Sequence, residues 1–218
     1  MIPLENLLKS WKNMLNLNPN DAVTYTPEQR QAIEDLMSNR GSKTGKELWE
    51  ETGADDVLKK TKDSIRTHLL NVQKVRCAYC ECILGFGITQ IEHFAPKWKF
   101  AEYLYEPLNL VCSCSDCNSL PKKGRRITIK GDARPVYTDN EFKYVHPFLD
   151  NVDKEIKYRT LFRIRIDYEH CSEKGRATVD MFHWNTTHAE MKRFQNLLVR
   201  TTSRSRRKII EEILDFKE

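Results

Sequence analysis

Two cysteine pairs at the C-x2-C spacing, Cys77-Ala-Tyr-Cys80 and Cys114-Ser-Asp-Cys117, mark this chain chemically. A tight turn of that spacing presents two thiolates to one ion, and two such turns complete a tetrahedral zinc site. A zinc with four thiolates keeps no open position, so its part is to fold the segment, worth on the order of 10 kcal/mol of apparent folding free energy. The insert between the pairs is longer than in a compact zinc ribbon and must form structure of its own. It holds Glu92-His93, Pro96 and Asn109-Leu110, and Asn118 follows the second pair at once. An imidazole with a pKa near its ordinary value of about 6.5 is neutral often enough at neutral pH to accept a proton from water. Glu92 and Asn118 offer hard oxygen ligands suited to Mg2+ or Mn2+, with positions left open for a substrate. Phosphodiester hydrolysis calls for such a set: a base for the attacking water, and a cation for the charge that gathers on the phosphoryl and leaving oxygens.

In order along the chain, Glu92-His93, Pro96, Asn109-Leu110, Cys114, Cys117 and Asn118 resemble the motif of the HNH endonuclease family. That motif is an acid and a histidine on a strand, a proline three residues on, an Asn-Leu pair, then C-x2-C and Asn. The resemblance implies a ββα-metal active site in which His93 activates water and Glu92 and Asn118 bind a catalytic Mg2+ or Mn2+. It further implies that Asn109 holds the loop and orients the histidine, while Zn2+ on Cys77, Cys80, Cys114 and Cys117 is structural. DNA is the implied substrate, cut to 5′-phosphate and 3′-hydroxyl ends.

The chain departs from the family pattern in three places. The acid is Glu92 where aspartate is commoner, Pro121 stands where lysine often does, with Lys122 and Lys123 following, and Tyr105-Glu-Pro107 replaces a frequent glycine pair. The run Ile91-Glu92-His93-Phe94 with Pro96-Lys97 is particularly similar to the HNH subunits of Septu and retron-associated anti-phage systems. Those subunits work with an ATPase of the ABC type, which implies such a partner here.

The elements that must position these residues read as follows. Leu4, Leu7, Leu8, Trp11 and Leu15 fall on one helix face within Ile2 to Leu17, an amphipathic segment that the resemblance makes a candidate dock for the ATPase. Thr26-Pro27-Glu28-Gln29 combines an N-cap, proline at the first helical position and a capping-box glutamine, so a helix runs from there to about Asn39. A third helix spans Asp55 or Asp56 to about Val72 and delivers the chain to Cys77. Gly87 to Ile91 is a short strand, and Tyr158 to Asp167 alternates as another. Asn185 or Thr186 caps a helix reaching Arg200, and a last helix covers Arg206 to Phe216. The expected class is α+β: a mainly helical chain around a central ββα-metal motif stabilised by a four-cysteine zinc knuckle. Three regions follow: an N-terminal helical region over 1–73, the nuclease core over 74–134, and a C-terminal strand and helical region over 135–218.

With 36 Lys and Arg against 31 Asp and Glu, the net charge of +5 is too small to identify a polyanionic partner by itself. Local clusters say more. Lys97 beside the motif, and Lys122, Lys123, Arg125 and Arg126 after the second cysteine pair, are the candidate phosphate contacts, with a further basic run from Arg200 to Lys208. Trp98, Phe100, Tyr103 and Tyr105 can stack bases beside Lys97 and Lys99, although aromatics so spaced more often build core, the reading favoured for most of them. Seven cysteines, an odd count with four in metal-ligand spacing, fit a reducing compartment, and the first residues lack a secretory cleavage pattern, so the expected location is cytoplasmic. No apolar run is long enough to cross a bilayer. Cys82 and Cys112 can trade places in the zinc shell, pair with each other, or serve as small buried hydrophobes, the last being favoured. His68, His146, His170, His183 and His188 read as surface or hydrogen-bonded residues. The competing function is a zinc-knuckle module that binds nucleic acid or protein without catalysis; it has no need of Glu92, His93 and Asn118 together.

Overall fold

In the computed structural model, residues 14–51, 56–85, 89–159 and 163–200 are described. Helix α1, Pro27–Ser38, starts as its sequence dictates: Thr26 accepts from the Gln29 amide and the Gln29 side chain answers the Thr26 amide, a complete capping box with proline inside the first turn. Helix α2, Gly45–Glu50, uses the same device with Thr44 and Glu47. Helix α3, Asp56–Val72, packs along α1 and against the sheet, burying Leu58, Ile65 and Leu69. Its last turn hands the chain to Cys77 through Lys74 and Val75, both at positive φ. Short α4, Val152–Glu155, helix α5, Glu173–Met181, and helix α6, Thr187–Arg200, complete the helices. Thr186 caps α6, accepting from the Ala189 amide.

One two-stranded antiparallel sheet lies between α3 and the C-terminal elements. β1, Thr89–His93, pairs with β2, Leu110–Cys114, in the register Glu92 to Val111 and His93 to Leu110. β2 is buried along its whole length. Gln73, at the end of α3, ties helix to sheet by accepting from the Cys112 amide at 2.7 Å and donating to the Cys112 carbonyl at 2.8 Å.

The α+β mixture is thus as expected, and several elements differ. β2 replaces what read only as a motif. After it, where a ββα pattern places a helix, Ser115 to Arg125 is a chain of turns. Pro121 supplies no amide there, and Gly124 sits at φ +33°, so neither continues a helix. Of the strand expected over Tyr158 to Asp167, residues 160–162 lie outside the described residues, and Tyr158 pairs with Ile166 through an isolated antiparallel bridge. Helix α5 carried no periodic signal strong enough to expect. Of the amphipathic helix expected over Ile2 to Leu17, the part before Met14 lies outside the described residues and Met14 to Leu17 are not helical; the basic run after Arg200 and the helix expected over Arg206 to Phe216 also lie outside the described residues.

One buried core joins the three expected regions, from Met14 and Leu17 through Phe94 and Leu110 to Phe148, Val179 and Trp184. The amides of Leu15 and Leu17 reach the Ala78 and Pro147 carbonyls across it. Among the described residues no helix is long and apolar enough to cross a membrane.

Candidate functional site

His93 closes β1 and is almost completely buried, at 2% exposure. Its Nε2 lies 3.0 Å from the Leu104 carbonyl oxygen, which can only accept, so that nitrogen carries the proton and the lone pair sits on Nδ1. Nδ1 is buried with no hydrogen-bond partner among the described residues. The Trp49 ring meets the imidazole edge-on at 4.7 Å and holds its plane. Burial, then the charge of Lys97, holds the His93 pKa well below the ordinary histidine range, so the ring is neutral at neutral pH.

The loop after His93 hangs on Asn109. The Ala95 amide donates to Asn109 Oδ1 at 2.6 Å, and Asn109 Nδ2 donates to the Ala95 and Tyr103 carbonyls at 3.2 and 2.9 Å. Tyr137 donates to the same Oδ1 at 2.9 Å and in turn faces His146 Nε2 at 3.0 Å. His146 Nδ1 accepts from the Phe148 and Leu149 amides, so its Nε2 bears the hydrogen and the chain of donors runs from His146 through Tyr137 to Asn109. Residues of the C-terminal region thereby hold the loop that carries the histidine. Nothing in their spacing predicts this; only the tertiary fold brings Tyr137 and His146 to Asn109.

Glu92 and Asn118 share a cavity of about 340 Å³ with His93, Lys97, Trp98 and Arg125. Asn118 Nδ2 donates to Gln90 Oε1 at 2.7 Å, which turns its other amide atom, Oδ1, into the available acceptor. Glu92 Oε1 is 2.6 Å from the ammonium of Lys123, and the ion pair does not occupy Oε2. One carboxylate and one side-chain amide on one cavity are the oxygen donors that could hold a hard divalent ion there. A second cavity of about 450 Å³, lined by Trp49, Lys62, Arg66 and Gln90, shares Lys97 and Asn118 with the first. Cations crowd this double trough. Burial, then Lys97 and Arg66, brings Lys62 down to about 8, and burial likewise lowers Lys97. Positive groups that depress one another in this way are stabilised by an anion between them.

The basic residues expected to contact phosphate divide. Lys97 and Arg125 line the cavity. Lys122 is tied to Asp116 at 2.8 Å, and Arg126 caps the Lys122 and Pro121 carbonyls, so both staple the turn. Lys123 is a correction: it is fully buried between Glu92 and the His93 carbonyl, 3.1 Å away, where no phosphate reaches it. Phe100, Tyr103 and Tyr105 are core, and Trp98 is not.

On the far side of β2 the thiols converge. The sulfurs of Cys77, Cys80, Cys82 and Cys114 lie within 4.8 Å of one another, a set that can hold a metal ion. This set has Cys82 where Cys117 was expected, so Cys82 is no small buried hydrophobe. Cys117 still joins the cluster, interacting with Cys114, Cys77 and Cys80. Mutual hydrogen bonding among the sulfurs pulls the Cys114 thiol down, and Cys77 is lowered as well, while Cys80, Cys82 and Cys117 are pushed up. Backbone amides of Cys114 and Cys117 point at the sulfurs of Cys77 and Cys114 at 3.4 and 3.5 Å. Cys112 stands apart as a buried thiol, pushed up to about 12 by burial.

No family model matches the chain. The chain is similar to a Septu protein. Septu protein PtuB of Bacillus thuringiensis is 24% identical over 173 residues, covering 77% of this chain and 52% of that protein. Protein ea31 of Escherichia phage lambda is 33% identical over 85 residues, covering 38% of this chain and 23% of the phage protein. The chain spans about half the length of the Septu protein, and the phage match covers under a quarter of ea31.

Proposed function

We propose that the chain is a metal-dependent endonuclease of the HNH type that hydrolyses phosphodiester bonds in DNA, and that it is the nuclease effector of an anti-phage defence complex. The observation that carries the reading is the His93 ring. Its Nε2 is committed to the Leu104 carbonyl, and its unpartnered Nδ1 belongs to a neutral imidazole on the same cavity as Glu92 and Asn118. A base so held is ready to take a proton from a water attacking phosphorus.

Each neighbour has a matching task. Lys97, Lys62, Arg66 and Arg125 draw the DNA backbone into the trough. Lys123 fixes one oxygen of Glu92 and leaves the other to the cavity. Glu92 and Asn118 would hold Mg2+ or Mn2+, which when bound neutralises charge on the phosphoryl and leaving oxygens. Asn109, through the Ala95 backbone, keeps the histidine's loop in place. The products would carry 5′-phosphate and 3′-hydroxyl ends. Zinc in the thiol cluster would be structural, holding the turn that presents Asn118.

The similarity to the Septu protein supports the defence role; an ABC-type ATPase as partner, with Ile2 to Leu17 as its dock, is the partnership that the motif resemblance implies. A plasmid-nicking assay tests the catalytic claim. Wild type should nick in Mg2+ or Mn2+ and stop in chelator, and His93→Ala should lose at least about 100-fold; equal rates for the two proteins would end the reading. A pull-down with residues 1–17 deleted tests the dock, and undiminished ATPase capture would sink it.

A further inference from the structure

The turn that follows the second cysteine pair presents Leu120 to solvent at 74% exposure. An exposed leucine is ordinary by itself. This one lines the cavity of His93, Glu92 and Asn118, together with Trp98, which is 36% exposed. The Arg125 guanidinium lies over the Trp98 ring at 5.3 Å, and the indole N–H donates to the Arg125 carbonyl at 3.2 Å. Two apolar side chains therefore flank the reacting groups inside a cationic surround, where a solvated protein gains nothing from having them.

The presenting turn is stiff. A Cβ at Gly124 would lie 2.7 Å from the Leu120 Cα and 2.8 Å from the Ser119 carbonyl oxygen, so only glycine lets the chain fold so closely on itself. The Lys122 amide bonds the Ser119 carbonyl, the Lys123 amide bonds the Cys117 carbonyl, and the Ser119 hydroxyl bonds the Asp116 carbonyl. Cys117 belongs to the thiol cluster, which anchors the base of the turn. A rigid leucine beside an aromatic ring and a guanidinium is the equipment of proteins that separate stacked bases and seat one on an aromatic face.

We infer that Leu120 and Trp98 form a wedge that engages an unstacked base next to the scissile phosphate. The preferred substrate is then DNA with unpaired bases, in single strands or bulges, rather than uniform duplex, because an unpaired base has least to lose on leaving the stack. The inference rests on the nuclease reading for its substrate and names which form of DNA the site takes. Charge complementarity decides the occupant: with Lys46 paired to Glu50 at 3.8 Å and Glu92 paired to Lys123, Lys97 and Arg125 are the cations around the wedge that suit a phosphate backbone.

Binding of the full-length chain to fluorescent oligonucleotides, read by anisotropy without divalent ion, tests the wedge apart from cleavage. The probes are a single strand, a duplex with a three-nucleotide bulge, and the same duplex intact. Wild type should bind the first two about 10-fold more tightly than the third, the worth of roughly one stacked base. In Leu120→Ala with Trp98→Ala that ratio should fall below about 3-fold while the salt dependence, which counts phosphate contacts, stays as in wild type. An unchanged ratio in the variant, equal binding of all probes by wild type, or a collapse of the salt dependence would each overturn the wedge. Failure of the nuclease reading shows separately, as a chain that keeps the binding preference and never nicks in Mg2+ or Mn2+.

Discussion

The ammonium of Lys123 lies 2.6 Å from Glu92 Oε1 with no solvent access of its own, so Glu92, on β1, shares a buried ion pair with a residue from the turn beyond the cysteines. Removing two charges from water costs several kcal/mol per ion, which only their mutual attraction offsets, and deleting one partner strands the other. Lys123→Met should therefore destabilise by about 3–5 kcal/mol, whereas Lys123→Met with Glu92→Gln should recover much of the loss. Urea unfolding of wild type, both single variants and the double gives the coupling. Additive losses would mean that the pair carries no shared energy.

The same neighbourhood sets the pH dependence of activity. Burial, then Lys97, lowers the His93 pKa, and the base must be unprotonated to act. The acid limb of kcat/KM should accordingly begin below the ordinary histidine value of about 6.5, with rates flat above it. Lys97→Met removes one lowering charge and should move the limb upward, short of the ordinary value because burial is the larger cause. Parallel pH–rate profiles of the two proteins check this, and a limb that moves down in Lys97→Met would refute it.

Stability should fall with acid for a related reason. His146 is neutral inside the fold, its pKa lowered to about 3 by burial and then Lys174, and its Nδ1 committed to two amides. Unfolding restores an ordinary pKa near 6.5, so between those values the unfolded chain binds a proton that the native chain does not. The contribution is complete above about pH 6.5 and fades as pH drops toward 3, at about 1.4 kcal/mol per unit. His93 is lowered as well and should bring the slope toward two protons. His93→Ala should halve it. Urea unfolding at pH 7, 6 and 5 with zinc present reads the slope, in a window above that where carboxylates such as Glu141, lowered by its bond to Lys130, contribute.

Local sequence rules foretold what local physics decides. The capping box of Thr26 and Gln29 and the C-x2-C turns needed only neighbours, so α1 and the thiol cluster were legible, as was the gathering of His93, Glu92 and Asn118 around one cavity. What escaped depends on distant partners. Tyr137 and His146 reach Asn109 only because the C-terminal region packs on the loop, and Trp49 reaches His93 from α2 across more than forty residues. Lys123 read as a phosphate contact because it stands in a local basic cluster; its burial between Glu92 and the His93 carbonyl depends on β1, thirty residues earlier in the chain. The turns over 115–125, where a ββα pattern places a helix, follow from Pro121, which has no amide to give, and from Gly124 at φ +33°.

The thiol cluster offers five sulfurs to an ion that takes four. Cys77, Cys80 and Cys114 belong both to the tight group with Cys82 and to the interactions of Cys117. Cys82 and Cys117 are then alternative occupants of one seat. Cys82→Ser and Cys117→Ser should each keep about one zinc per chain with weakened hold, and the double variant should lose it. Cys77→Ser and Cys114→Ser should each lose it alone, because both belong to the tight group with Cys82 and to the interactions of Cys117. Metal analysis after dialysis against a graded chelator separates these outcomes. Complete zinc loss in Cys82→Ser with none in Cys117→Ser, or the reverse, would assign the seat to one residue and remove the exchange. Since the turn carrying Asn118 and Leu120 starts from Cys117, Cys117→Ser should also loosen DNA binding where Cys82→Ser does not, even at equal zinc content.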